Sequence, residues 1–298
     1  MPNFRLAIEA SLFARMPLEG ALERSSKCGF GRVEIGLSHF DACAAGRAEV
    51  KRLEGLLSVN GLGIAALFAL PGWNPLSGTK STLGLSSPDE GHRRRAVGEM
   101  RRAVEVARLL GCGSIASELS GDMDDPRASR GSFVRSMREL LPMLEDGGVT
   151  VFFEAHPGDF VEDSFGAVEL LSSFRSERIR YNYCVPHTFI LGHSPREIVQ
   201  NAGRLLGYVH FADTLKPERV FFSPTHPPKV KPHLHMVPGL GDVDLREVIT
   251  SLAAEGFDGY VVIQPFSNAD EPTRAAKRTK AFLTGALAEI DQRPGDSY

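Results

Sequence analysis

The chain has 298 residues, 42% of them hydrophobic and 24% charged, with a formal net charge of −3. That is ordinary globular composition, and it excludes the disordered and fibrous classes. The near-neutral balance supplies no global field for nucleic acid or an anionic membrane, so neither is an expected partner.

The opening segment MPNFRLAIEASLF holds Arg5 and Glu9 and no long apolar run. It reads as neither a signal peptide nor a membrane span, which makes the cytoplasm the expected location. The four cysteines, Cys28, Cys43, Cys112 and Cys184, are widely spaced and form no CxxC pair. Neither a disulfide framework nor a zinc knuckle is indicated.

In chain order, short apolar runs alternate with stretches of helical period. The predicted strands are 4–10, 32–37, 62–70, 114–119, 149–155, 179–185, 207–213 and 260–266. Several are almost continuously apolar, as strands of a sheet covered on both faces are. Helices are expected over about Leu18–Cys28 and Ala48–Asn60, then from Ser86-Ser87-Pro88-Asp89-Glu90, then over about Ser132–Glu145. Further helices should follow Asp163, Ser194, Asp242 and Asp270, each a potential cap. Arg93-Arg94-Arg95 reads as a solvated helix face.

Eight strand–helix units in strict alternation imply a parallel sheet, and eight is the number that closes a barrel. The expected fold is a single-domain (β/α)8 TIM barrel spanning 1–298. No GxGxxG follows the first strand and there is no Walker A motif, against an open dinucleotide-binding sheet. The long connections Phe68–Ser87 and Asp213–Gly241 both follow strands, and loops after strands form the catalytic face of such barrels.

The chemistry-bearing residues lie at strand ends. The fifth strand ends in Phe153-Glu154-Ala155-His156, the sixth in Tyr183-Cys184-Val185-Pro186-His187, the seventh in His210-Phe211-Ala212-Asp213 and the eighth in Gln264. A carboxylate after an apolar strand belongs at the mouth, since the barrel core would penalise it. One buried cysteine or histidine alone is usually a packing residue. Here imidazoles and a carboxylate converge from neighbouring strands, a common shell for a divalent metal. His233 and His235 are spaced to point the same way in extended chain. Gln264 can offer an oxygen to a metal or bind a hydroxyl. Glu9, Glu34 and Glu118 also sit in or at the ends of strands, with Glu118 the best placed for a polyol substrate. Trp73 is a candidate pocket wall.

The segments FEAHPGDF (153–160), YCVPHTF (183–189), HFADT (210–214) and HLHMVPGLGDVDL (233–245) carry a resemblance. Over nearly its full length the chain resembles the xylose isomerase-like TIM barrels, which include sugar phosphate isomerases/epimerases, inosose-processing enzymes and endonuclease IV. Within them it looks closest to a branch near inositol catabolism that pairs a YC-x-PH segment with a loop HxH. In the sugar epimerase branch a metal is held by a Glu, an Asp, a His and a Glu after strands five to eight. The resemblance puts Glu154 in the first position and His210 in the third. It matches His187 to a substrate-contacting histidine and Lys216 to a substrate-binding arginine. Cys184 stands where the Asp is expected and Gln264 where the second Glu is expected. The two glutamates are the epimerases' acid/base pair, and Gln264 cannot take a proton.

The His233-Leu234-His235 segment resembles a metal-binding loop of endonuclease IV and could replace the lost ligand. The candidates are therefore Glu154, His187 and His156 as proton carriers. Glu154, His187, His210, His235, Gln264 and Cys184 are the candidate metal ligands. Glu118, Lys216, Trp73 and His233 are candidates for substrate contact. The expected cofactor is a divalent ion, Mn, Zn, Co or Fe. The expected activity is metal-dependent isomerisation or epimerisation of a sugar, keto-sugar or cyclitol through an enediolate. A metal-dependent lyase or dehydratase, and a sugar-binding protein with a decayed site, are the alternatives. The expected partner is a small polyol or sugar; a homo-oligomer is left open.

Overall fold

The computed structural model describes residues 4–74, 79–80, 83–220, 233–268 and 270–291. Eight parallel strands close on themselves: β1 (Arg5–Glu9), β2 (Arg32–Ile35), β3 (Gly63–Phe68), β4 (Ser114–Glu118), β5 (Thr150–Glu154), β6 (Ile179–Cys184), β7 (Leu206–Phe211) and β8 (Tyr260–Ile263). Closure pairs β8 with β1, with Ile263 beside Ile8. All eight expected strands are present, each inside its predicted range except that β7 begins one residue earlier. The long loops after the third and seventh strands fall partly outside the described residues, at 75–78, 81–82 and 221–232.

The helices lie outside the barrel: α1 (Leu18–Lys27), α2 (Arg47–Val59), α3 (Glu90–Leu109), α4 (Pro126–Gly147), α5 (Ser164–Ser172), α6 (Val185–Phe189), α7 (Pro195–Ala202), α8 (Leu245–Ala254) and α9 (Pro272–Asp291). Asp163 and Ser194 cap α5 and α7 as expected, accepting from Gly166 N and Glu197 N. Asp89 caps α3 through His92 N.

Four local features differ from the sequence reading. Helix α4 starts at Pro126, because Asp125 caps it and Pro126 occupies the first turn, a start signal ahead of the apolar period. Asp244, not Asp242, caps α8, while Asp242 accepts from Lys216 N and pairs with Arg219. Asp270 pairs with Arg15 rather than capping a helix. Arg93 is not solvated: it is buried between α3 and α4, bonded to Glu90, Glu139 and Ser136. A guanidinium can be buried there because its fork of donors is satisfied.

Strand side chains alternate, and closure sorts them by face. Ile8, Val33, Ile115, Val151, Phe153, Val209, Phe211 and Val261 join the helices in one large apolar core. The inward set begins at the amino-terminal end as a second apolar layer containing Ala7, Ala65, Ala66, Ala116, Phe152, Tyr208 and Val262. The alanines leave room there for Phe152 and Tyr208, whose rings stack with centroids 5.2 Å apart. Further towards the carboxyl ends, inward positions of β1, β2, β5, β6 and β7 are polar, supplying Glu9, Glu34, Glu154, Asn182, Cys184 and His210. These six are all buried.

Candidate active site at the barrel mouth

Register builds the deep part of the site. The β6–β7 ladder slips between Tyr181 and Asn182 and then pairs Cys184 with His210. Glu118 pairs with Glu154 across β4 and β5. His210 is held between two carboxylates: its Nδ1 is 2.7 Å from Glu154 Oε2 and its Nε2 is 3.2 Å from Glu34 Oε2. Asn182 Nδ2 donates to Glu154 Oε2 at 3.2 Å, and the Tyr208 hydroxyl donates to Glu34 Oε2 at 2.7 Å. Glu154, Cys184 and His210 offer ligand atoms that all lie within 4.8 Å of one another.

Burial dominates the electrostatics. It would discharge His210, but Glu34 and Glu154 outweigh it and hold the imidazole well above its usual range. Burial raises the Glu154 carboxyl, partly offset by His210. Burial and the nearby Glu154 push the Cys184 thiol up to about 12. Burial and Glu34 raise Glu9 to about 8. Gln264 Nε2 donates to Glu9 Oε2 at 2.5 Å.

Above this group lies a roof of histidines. His156 follows β5, His187 stands on the short α6, and His233 and His235 come from the loop after β7. The His187 ring is 4.4 Å from that of His233, 4.6 Å from His156 and 5.3 Å from His235, centroid to centroid. His187 Nε2 is 3.3 Å from His235 Nε2. Burial, with the neighbouring imidazoles, holds His187 and His235 well below the usual histidine range. Two further triads of ligand atoms within 4.8 Å arise here: His156, His187 and His233, and Cys184, His187 and His235. Glu118, which accepts from Ser120 Oγ, forms another with His156 and Asp159.

Asp213 anchors the loop that carries the roof. Its backbone pairs with Met236 in both directions. Its carboxylate accepts from the backbone N–H groups of Thr214, Gly239, Gly241 and Val243. Gly241 is required by this closure, since a Cβ there would stand 2.3 Å from Asp213 Oδ1.

The family described as xylose isomerase-like TIM barrel matches residues 22–285. The chain belongs to that family. Fructoselysine 3-epimerase of Shigella flexneri is 21% identical over 291 residues, covering 94% of this chain and 96% of that protein. The same enzyme of Escherichia coli O157:H7 is 21% identical over 262 residues, covering 84% and 86%. Among solved structures, D-psicose 3-epimerase of Clostridium cellulolyticum H10 superposes with a TM-score of 0.77 at 19% identity, covering 95% of this chain and 99% of that one. An L-ribulose 3-epimerase gives 0.76 at 17% identity, covering 99% of each. At these identities the superpositions establish the shared barrel.

Within this xylose isomerase-like barrel, the residues expected at the site separate into layers. Glu154, Cys184 and His210 form the deep group; His156, His187, His233 and His235 form the roof. Gln264 turns its amide N–H to Glu9. Trp73 is half-buried on a two-residue ribbon strand after β3. Lys216 lies apart, lining a cleft of about 470 Å³ with His193 and Glu247. Reading the sequence did not single out Asn182, Tyr208 or Asp159, nor the anchoring role of Asp213. Asn182 and Tyr208 could have been found as inward positions two before Cys184 and His210.

Proposed function

We propose that this chain is a sugar isomerase/epimerase-type enzyme acting on a keto-sugar, aldose or cyclitol at the barrel mouth. Within that class we assign it proton transfer by a single carboxylate, Glu154, between adjacent carbons. The enzyme class is supported by the relatives' sugar 3-epimerase activity and carried by one observation, that Glu154, Cys184 and His210 converge at the carboxyl ends of β5, β6 and β7. The one-base step departs from those relatives and rests on Gln264.

The donor set fits a divalent ion. A carboxylate, a thiol and an imidazole suit a borderline cation such as zinc, iron or cobalt better than magnesium. Burial holds a proton on Cys184 and raises Glu154, and a dication offsets that cost for both. When bound, the ion would polarise a carbonyl and its neighbouring hydroxyl, making the hydrogen between them acidic.

The residues of the chain account for the rest. Glu154 Oε2 accepts from Asn182, which aims the carboxylate, and Glu154 moves the proton. On β8 the corresponding strand end offers an amide donor bound to Glu9, not a second base. One base on one face suits transfer between neighbouring carbons, whereas inversion at one carbon needs a proton delivered from the opposite face. Glu118, His233 and Trp73 are assigned to substrate hydroxyls and ring.

The test is incubation of the protein, loaded in turn with Zn(II), Co(II) and Mn(II), with a panel of ketoses, aldoses and cyclitols in deuterated water. Product of unchanged mass that partly retains the substrate's own α-hydrogen supports one-base isomerisation. Complete solvent label at an inverted carbon, or loss of water, overturns the one-base assignment.

A further inference from the structure

We infer that Glu34, itself held by Tyr208, is a positioning residue for His210: it fixes the ring proton on Nε2 and presents Nδ1 to the ion. The inference deepens the proposed function and rests on its reading of Glu154, Cys184 and His210 as the donors to a divalent ion.

Three observations carry it. The first is which nitrogen each carboxylate faces. His210 Nδ1 is 2.7 Å from Glu154 Oε2, on the side of the donor group, whereas Nε2 is 3.2 Å from Glu34 Oε2. Asn182 Nδ2 is 3.1 Å from Nδ1 and 3.4 Å from Nε2, too even a pair of contacts to choose between them. Glu34 makes the choice. An ionised carboxylate only accepts, so the nitrogen it faces carries the proton and the other keeps its lone pair for a metal.

The second is that Glu34 stands outside the donor group. The ligand atoms of Glu154, Cys184 and His210 lie within 4.8 Å of one another, and Glu34 is not among the residues that come together in this way. It belongs to β2, separated from β7 in the ladder by β1 and β8, and meets His210 across the barrel interior. A ligating histidine commonly directs its other N–H at a carboxylate, which orients the ring and raises its basicity.

The third is how Glu34 is held. It is fully buried. Among the described residues no lysine or arginine pairs with it, and its charged partner is His210. A buried carboxylate is strongly penalised unless it is paired and hydrogen-bonded. The Tyr208 hydroxyl donates to the same Oε2 at 2.7 Å, and the Tyr208 ring is fixed by its stack on Phe152. The aromatic floor thereby sets the angle of a ligand in the layer above it.

The experiment is titration of the chelator-stripped full-length protein with Zn(II) against a chromophoric chelator, with nitrogen–proton NMR of the histidine rings in the zinc-loaded protein. In the wild type, His210 Nδ1 should show the shift of a zinc-bound nitrogen and Nε2 a slowly exchanging proton. Glu34→Gln, which keeps the size and an acceptor but removes the charge, should weaken zinc by about 10–100-fold. Tyr208→Phe, which keeps the stack and removes the hydroxyl, should weaken it less and in the same direction. The Cys184 charge-transfer band with Co(II) should persist in both variants, whereas collapse of the donor group would abolish it. Circular dichroism checks that each variant is folded. Zinc on Nε2 of wild-type His210 overturns the inference without recourse to any variant. So does wild-type zinc affinity in folded Glu34→Gln. Either result, with zinc bound and sugar turned over by the wild type, leaves the proposed function standing. The expected zinc behaviour without turnover of any sugar removes the proposed function alone. Absence of any zinc binding removes both.

Discussion

Gln264 donates its side-chain N–H to the Glu9 carboxyl at 2.5 Å, tying the last barrel strand to the first. Glu9 is raised to about 8 by burial and by Glu34, so the folded protein keeps a proton there that the unfolded chain gives up near the usual glutamate value of 4.5. Between those two values the native state binds more protons than the unfolded state. Stability therefore falls as pH rises across that window, by at most about 1.4 kcal/mol per pH unit from this group. Glu9→Gln should flatten the slope in urea unfolding between pH 5 and pH 8. An unchanged slope would show that Glu9 ionises normally.

Glu154→Gln keeps the shape of the deep group and removes its base. Turnover and α-hydrogen exchange should drop by about 10²–10⁴-fold, the usual contribution of a positioned general base. Exchange kinetics followed by NMR on the best substrate decide this. Wild-type exchange in the variant would move the base elsewhere.

Cys184 sets the metal preference in this reading. Cys184→Asp should shift selectivity from zinc and cobalt towards manganese and magnesium, because a hard oxygen replaces a soft sulfur. Competition titrations with paired metals measure the shift. The same order of affinities in both proteins would exclude Cys184 as a ligand.

Asp213→Ala would leave four backbone N–H groups without their carboxylate. Removing a buried multiply bonded charge should cost about 3–5 kcal/mol. Denaturant midpoints should fall accordingly, and protection of amides 236–243 from hydrogen exchange should fall with them. Asp213→Asn, which keeps acceptor capacity, should lose less. A loss below about 1 kcal/mol in the alanine variant would show that the loop holds without its anchor.

The barrel was legible in the sequence because doubly covered parallel strands leave near-continuous apolar runs, as at 149–155 and 207–213. Strand-end residues such as Glu154, Cys184 and His210 stood out for the same reason: each interrupts or follows such a run. The start of α4 was obscured because Asp125-Pro126 precedes the apolar period by several residues. Arg93 looked like its neighbours Arg94 and Arg95, and only the packing of α3 on α4 separates them. The Glu34–His210–Glu154 chain spans β2, β7 and β5, and nothing local in the sequence encodes which strands closure brings face to face. Lys216 shows the converse. Its place in the chain suggested substrate contact, but the loop turns it towards the α6–α7 side, where Asp242 accepts its backbone N–H.

The Phe152–Tyr208 stack and the alanines around it make a dry floor under the mouth. Among the described residues, Glu154, Cys184, His210 and the four roof histidines stand above that floor. The molecule is thus partitioned into a foundation and an exchangeable fitting. A mutant library confined to inward and loop positions 118, 156, 184, 187, 233, 235 and 264 would vary the chemistry while leaving the foundation intact. In evolutionary terms, that partition lets one barrel vary strand-end residues such as Cys184 and Gln264 and remain a barrel.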